Sequence, residues 1–99
     1  MAAEAQQLAE LTLCDLADAI GAGDLTATEV MAATLTRIEH LDPHLNAFIW
    51  CDAERAMERA READVALQRG DDVGPLHGVP LAHKDMFYRP GRPTTCGSR

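Results

Sequence analysis

The order of local signals along the chain, helix, helix, strand, helix, strand, predicts an α/β fold in which the third helix crosses between two strands. Three observations carry that expectation. Thr12 and Thr26 each stand just before an apolar pattern of helical period, as helix caps do. The run Asn46 to Cys51, NAFIWC, is short and rich in aromatic and branched residues, which reads as a strand. A second short run, Val79 to Lys84, follows the loop signals Gly74-Pro75 and Gly78.

Residues 1 to 10 are alanine-rich and polar, compatible with a helix but without a clear boundary, so fraying is expected there. The first helix is predicted over about 12–22. Thr12 offers its hydroxyl to the N–H of Asp15, Leu11 and Leu16 have the spacing of a hydrophobic staple, and Leu13, Leu16, Ala17 and Ile20 follow the i, i+3, i+4, i+7 rule for one buried face. Gly21 and Gly23 end it. The second helix, about 27–42, opens on a T-x-x-E capping box of Thr26 and Glu29, with Leu25 and Val30 repeating the staple. It is expected to bury Val30, Met31, Leu35, Ile38 and Leu41, and to stop near Asp42 because Pro43 disfavours a helical residue before it. Asp52 caps a third helix, about 53–69, with Gly70 as its stop. Its inward stripe, Ala53, Ala56, Met57, Ala60, Ala63 and Leu67, is small and permits close approach to a neighbour. The opposite face, Arg55, Glu58, Arg59, Arg61 and Glu62, has mixed signs and reads as solvated. Trp50, the only tryptophan, reads as packing on the first strand rather than as a substrate platform.

Composition narrows the function classes. Nine basic against 16 acidic residues give a net charge of −7, which opposes direct binding to nucleic acid or anionic membranes. No apolar run approaches the ~18 residues that a membrane span needs. MAAEAQQLAE lacks the basic start and apolar centre of a signal peptide, so a cytoplasmic location is expected. Cys14, Cys51 and Cys96 are odd in number and widely separated, and His40, His44, His77 and His83 show no H-E-x-x-H spacing. Buried reduced thiols and no metal site are the expectation, with no cofactor. His77, in the loop, reads as a hydrogen-bonding residue rather than a ligand.

The chemistry can be placed in residues 74–99, GPLHGVPLAHKDMFYRPGRPTTCGSR, centred on Lys84, the only lysine. With a strand's period of two, Val79, Leu81 and His83 share one face, and Pro80, Ala82 and Lys84 the other. A free lysine has a pKa of about 10.4, so almost none is neutral at pH 7. Burial in a low-dielectric site can lower that value by as much as about 3 to 5 pH units and leave an amine able to act as a base. The ordinary fate of a lysine is a solvated surface charge; the pattern around this one argues against it.

That pattern, G-P-L-H-G-V-P-L-A-x-K-D followed by P-T-T-C-G-S, closely resembles the opening segment of the amidase signature family, and the resemblance runs more diffusely from near Thr12 to the last residue. It implies that residues 1–99 are the N-terminal part of a single large domain with a mixed β-sheet covered by helices. It further implies that Lys84 is the catalytic lysine of a Ser-cisSer-Lys triad that hydrolyses or transfers amide groups. The family's two serines lie in a glycine- and serine-rich segment that these residues do not include, so the chain alone is expected to be inactive. Ser98 belongs to the T-T-x-G-S element and is not the nucleophile. His83 stands where an aliphatic residue is usual in the family, and Cys96 where alanine is frequent.

The function the resemblance implies is an amidase hydrolysing a small-molecule carboxamide to carboxylate and ammonia. Its alternatives are the glutaminase subunit of a tRNA-dependent amidotransferase and a noncatalytic helical interaction module. A homodimer and amidotransferase partner subunits are both left open. A phosphate-binding loop is disfavoured, because G-x-x-x-x-G-K-[ST] is absent and Lys84 does not open a helix.

Overall fold

Each helix whose start is described begins at an oxygen-bearing side chain that takes up a backbone N–H left without an intrahelical partner. In the computed structural model, which describes residues 7, 8 and 10–82, three helices follow one another: α1, Leu13–Ala22; α2, Ala27–Leu45; and α3, Ala53–Gln68. Thr12 opens α1 with a reciprocal box: its Oγ accepts from Asp15 N–H, and the Asp15 carboxylate accepts from Thr12 N–H, both at 3.1 Å. Thr26 and Glu29 build the same box at the start of α2, at 3.0 and 3.2 Å. Asp52 opens α3 by accepting from Arg55 N–H at 3.1 Å.

The turn between α1 and α2 is fixed at Gly23, whose φ of 84° is left-handed. That conformation lets the Asp24 N–H fold back onto the Ala19 carbonyl at 2.9 Å and close the helix end. The chain reverses there, bringing Leu11 and Leu16 beside Val30, Ala33 and Thr34 of α2, with which they line a shallow cleft. Ile20, Ala27 and Val30 are each 1% exposed and, with Ala60 of α3, form the buried centre. The core is small. Leu16 and Ala17 are half-buried beside it, as are Met31, Leu35 and Ile38, but Leu13 and Leu41, expected inside, are exposed. Along α3, Ala56, Met57, Ala63 and Leu67 are half-buried while Ala53 is exposed. Small residues on that stripe let α3 lie close against α2.

The α/β expectation is overturned. Among the described residues there are three helices and no strand, so neither the mixed sheet nor a helix crossing between two strands is present. The reason at Asn46 to Cys51 is specific. A strand needs its N–H groups free for a neighbour, and two of them are already taken: Asp42 Oδ1 accepts from Ala47 N–H at 2.7 Å and from Phe48 N–H at 3.0 Å. Branched and aromatic side chains report a preference for a pleated surface, but without a pairing partner that preference is not realised. Residues 79–82 are also irregular, with Val79 N–H turned back onto the Leu76 carbonyl. The remainder of the predicted second strand, His83 and Lys84, lies outside the described residues.

The same aspartate explains why α2 runs one turn past its predicted stop. Pro43 sits inside the helix, where it removes a single N–H donor near the end. Asn46, left-handed at φ 51°, closes the helix with its N–H on the Asp42 carbonyl. With its backbone carbonyl and its carboxylate both engaged, Asp42 holds the final turn helical despite the proline that follows it. The thiols also differ from expectation: Cys14 and Cys51 are free but exposed.

Beyond α3, Gly70 takes a φ of 77°, and the chain turns back over residues 75–78. Gly78, at φ 81°, lies directly on the core. A Cβ there would stand 3.0 Å from Ala27 Cβ and 3.2 Å from Ile20 Cγ2. Gly78→Ala is therefore expected to destabilise the protein by about 1–3 kcal/mol, combining left-handed strain with overpacking. Urea unfolding measures this, and an unchanged midpoint would show that the loop does not rest on the helices.

Candidate functional site

Two of the N–H groups at the start of α2 are not served by its own capping box. Thr26 Oγ takes Glu29 N–H, the third in the helix, leaving those of Ala27 and Thr28 without intrahelical acceptors. The carboxylate of Asp64, on α3, takes both. Its Oδ1 accepts from Ala27 N–H at 2.7 Å, and its Oδ2 accepts from Thr28 N–H at 3.1 Å and from the Thr28 hydroxyl at 2.6 Å. A negative charge at a helix N-terminus also opposes the positive end of the helix dipole. Burial acts to raise the Asp64 pKa. The Thr28 hydroxyl, the Ala27 and Thr28 N–H groups and the nearby His77 ring outweigh it, and the carboxyl is held below its ordinary value.

The loop after α3 docks beside this bridge. His77 N–H donates to the Gly74 carbonyl at 3.2 Å, closing the turn. The His77 ring is half-buried, and its Nε2 lies 2.7 Å from the Ala63 carbonyl. Since a carbonyl can only accept, Nε2 carries the proton in that bond. Gly78 follows, pressed against Ala27 and Ile20. Three separate parts of the chain thus meet at one joint: the start of α2, the middle of α3, and the turn Gly74 to Gly78. Val79 and Pro80 are half-buried as the chain leaves it, whereas Leu81, 63% exposed, and Ala82 are on the surface.

Lys84, the residue singled out from the sequence, lies outside the described residues, as do His83 and Cys96. What the structure gives is the anchored approach to it, with Gly78 six residues before the lysine. Asp64 is a residue that sequence reasoning passes over. Its signal is nonetheless there, because it is the charged member of an i, i+3, i+4, i+7 set with Ala60, Ala63 and Leu67, where an apolar residue is the rule. Among the described residues no group of three or more His, Cys, Asp or Glu side chains is placed to hold a metal ion, and no helix is long and apolar enough to cross a membrane. The Arg55, Glu58, Arg59, Arg61 and Glu62 face of α3 is exposed, with one loose Arg59 to Glu62 pair at 3.9 Å, and reads as solvated.

Compared with known proteins, residues 29–99 match the family model described as Amidase. The chain belongs to the amidase family. The match takes in most of α2, all of α3, the docked turn and the lysine segment. This amidase-family chain is 47% identical over 90 residues to a glutamyl-tRNA(Gln) amidotransferase subunit from Streptomyces coelicolor, a match that covers 91% of the chain and 18% of that protein. It is 48% identical over 88 residues to the subunit of the same name from Acidothermus cellulolyticus, covering 89% of the chain and 17% of the relative. The Aromatoleum aromaticum protein of that name is also 48% identical over 88 residues, with 89% and 18% covered. The amidase-family chain thus spans 17–18% of the length of these relatives. No solved structure matches it.

The Asp64 bridge sets a pH dependence whose sign is fixed by the direction of its shift. A carboxyl whose pKa is lower in the folded than in the unfolded protein contributes stability above the unfolded value, ~3.9, and loses it as pH falls through the folded value. Asp64→Ala is expected to cost about 1–3 kcal/mol at pH 7, since two helix N–H groups and a hydroxyl lose their acceptor. The difference from the parent protein should shrink below about pH 4. Urea midpoints measured from pH 7 down to pH 2 test both parts, and a difference that does not vary with pH would rule out a charged bridge.

Proposed function

We propose that this chain carries the general base of an amidase-family enzyme that hydrolyses a small-molecule carboxamide to a carboxylate and ammonia, with Lys84 as that base. The observation that carries the reading is the family match over residues 29–99, which includes the only lysine, in the motif G-P-L-H-G-V-P-L-A-x-K-D. In the proposed reaction the hydroxyl of a nucleophilic serine attacks the amide carbonyl, and its proton passes through a bridging serine to the neutral amine of Lys84. Collapse of the tetrahedral intermediate breaks the C–N bond, the leaving nitrogen takes the proton, and water then releases the acyl group. Both serines belong to the Ser-cisSer-Lys arrangement that the motif implies, outside these 99 residues. The lysine must be uncharged to begin, and this requires a setting poor in water.

A second reading has its own support. The three relatives compared with the chain are each named as a subunit of glutamyl-tRNA(Gln) amidotransferase. Under it the hydrolysed amide belongs to a nitrogen donor such as glutamine, the ammonia is transferred to a glutamyl-tRNA, and the enzyme works with partner subunits. The chemistry at Lys84 is the same in both readings; they differ in where the ammonia goes.

Lys84→Ala in the intact enzyme is expected to lower amide hydrolysis by about 10²–10⁴-fold or more, the range for loss of a positioned base, with the thermal midpoint little changed. Ammonia release from a small aliphatic amide and from L-glutamine measures it. Turnover near that of the parent enzyme by the folded variant would remove Lys84 from the mechanism. Glutamine hydrolysis that appears only with partner subunits present would select the second reading over the first.

A further inference from the structure

The geometry points to His77 as a positioning residue for the lysine segment, acting through its ring bond to α3. The inference rests on the reading of Lys84 as the base, and adds to it the side chain that places the polypeptide bearing that lysine.

Among the described residues, the turn Gly74 to Gly78 is held by contacts of three kinds. Inside the turn, His77 N–H closes on the Gly74 carbonyl at 3.2 Å. Towards α3, the His77 Nε2 to Ala63 carbonyl bond of 2.7 Å spans 14 residues of sequence. Towards α1 and α2, Gly78 sits where a Cβ would come within 3.0 Å of Ala27 and 3.2 Å of Ile20. The surfaces it docks on are themselves tied together, because Asp64, next to Ala63, holds the N–H groups of Ala27 and Thr28. Of these three, the His77 ring bond alone is a directed side-chain contact from the turn to a helix; the others are a backbone closure and a close approach. A hydrogen bond fixes direction, while apolar contact allows sliding. Without it the turn has no directed tie to α3, and a displacement of the turn changes where the chain sets out for Lys84, six residues on. Proton transfer is sensitive to such displacement: an error of about 1 Å introduced at a distance can lower a rate by as much as about 10²-fold.

The test separates a positioning role from a structural one. A fluorophosphonate labels an activated serine, so the amplitude of labelling counts competent enzyme, while its rate constant reports activation of the hydroxyl by the base. In the intact enzyme, His77→Ala is expected to keep the amplitude, to lower the rate constant and kcat for amide hydrolysis by roughly tenfold or more, and to leave KM within about twofold. His77→Gln, whose longer amide can still donate to the Ala63 carbonyl, is expected to recover most of that loss. Unchanged constants in His77→Ala overturn the proposal, and so does a lower amplitude with an unchanged rate constant, which marks a structural role only. If His77→Ala does not fold, His77→Asn takes its place, with a donor too short to reach; equal rate constants for His77→Asn and His77→Gln overturn the proposal. Lys84→Ala, run alongside, keeps the two claims apart. An active Lys84→Ala removes the base, whereas an inactive Lys84→Ala beside a fully active His77→Ala removes only the positioning role.

Discussion

The fold depends on one carboxylate that reaches from the middle of a helix to the start of another. Asp64 gives both its oxygens to the first turn of α2, to the N–H groups of Ala27 and Thr28 and to the Thr28 hydroxyl. Threonine capping stabilises each helix locally, but it cannot say where the helices lie relative to one another. Asp64 can, because its reach is short: α3 must approach α2 closely for its oxygens to arrive at 2.6 to 3.1 Å, and the alanines at positions 56, 60 and 63 make that approach possible. Small side chains, the helix dipole and two otherwise orphaned donors thus act on the same joint.

This joint carries the amidase motif. The residues G-P-L-H-G form a closed turn that rests on Ile20 and Ala27 at one end and on the Ala63 carbonyl at the other. The turn's Gly78 and His77 are therefore packing and hydrogen-bonding elements. In this arrangement the motif divides its labour. Its first half grips the helices, and its second half, beyond Ala82, contains Lys84, the residue we propose as the base.

Much of the helical framework is legible in the letters, because its causes are local. Thr12, Thr26 and Asp52 announce themselves by spacing to the next turn, and the structure has a hydrogen bond at each. The two expected strands, at 46–51 and 79–84, rest on side-chain preference, and preference says nothing about pairing. Asp42 claims the donors of Ala47 and Phe48 across five and six residues, a competition that no hydrophobic pattern records. Pro43 misleads for a related reason, since the rule that stops a helix before proline weighs the backbone alone and not the aspartate preceding it. Asp64 is hidden by distance, acting 36 and 37 residues away on groups that carry no letter of their own.

The closeness of Ala27 and Gly78 ties the two positions together under mutation. There is no spare volume between them: a methyl group added at 78 meets the one already at 27, and anything larger than alanine at 27 presses on the same turn while sitting beside the Asp64 oxygens. Enlargement on one side has to be matched by retreat on the other, and alanine cannot retreat without becoming glycine and loosening the first turn of α2. Diversification of this sequence is thus channelled away from the joint and toward the solvated faces of α2 and α3, where side chains change without a partner having to change with them.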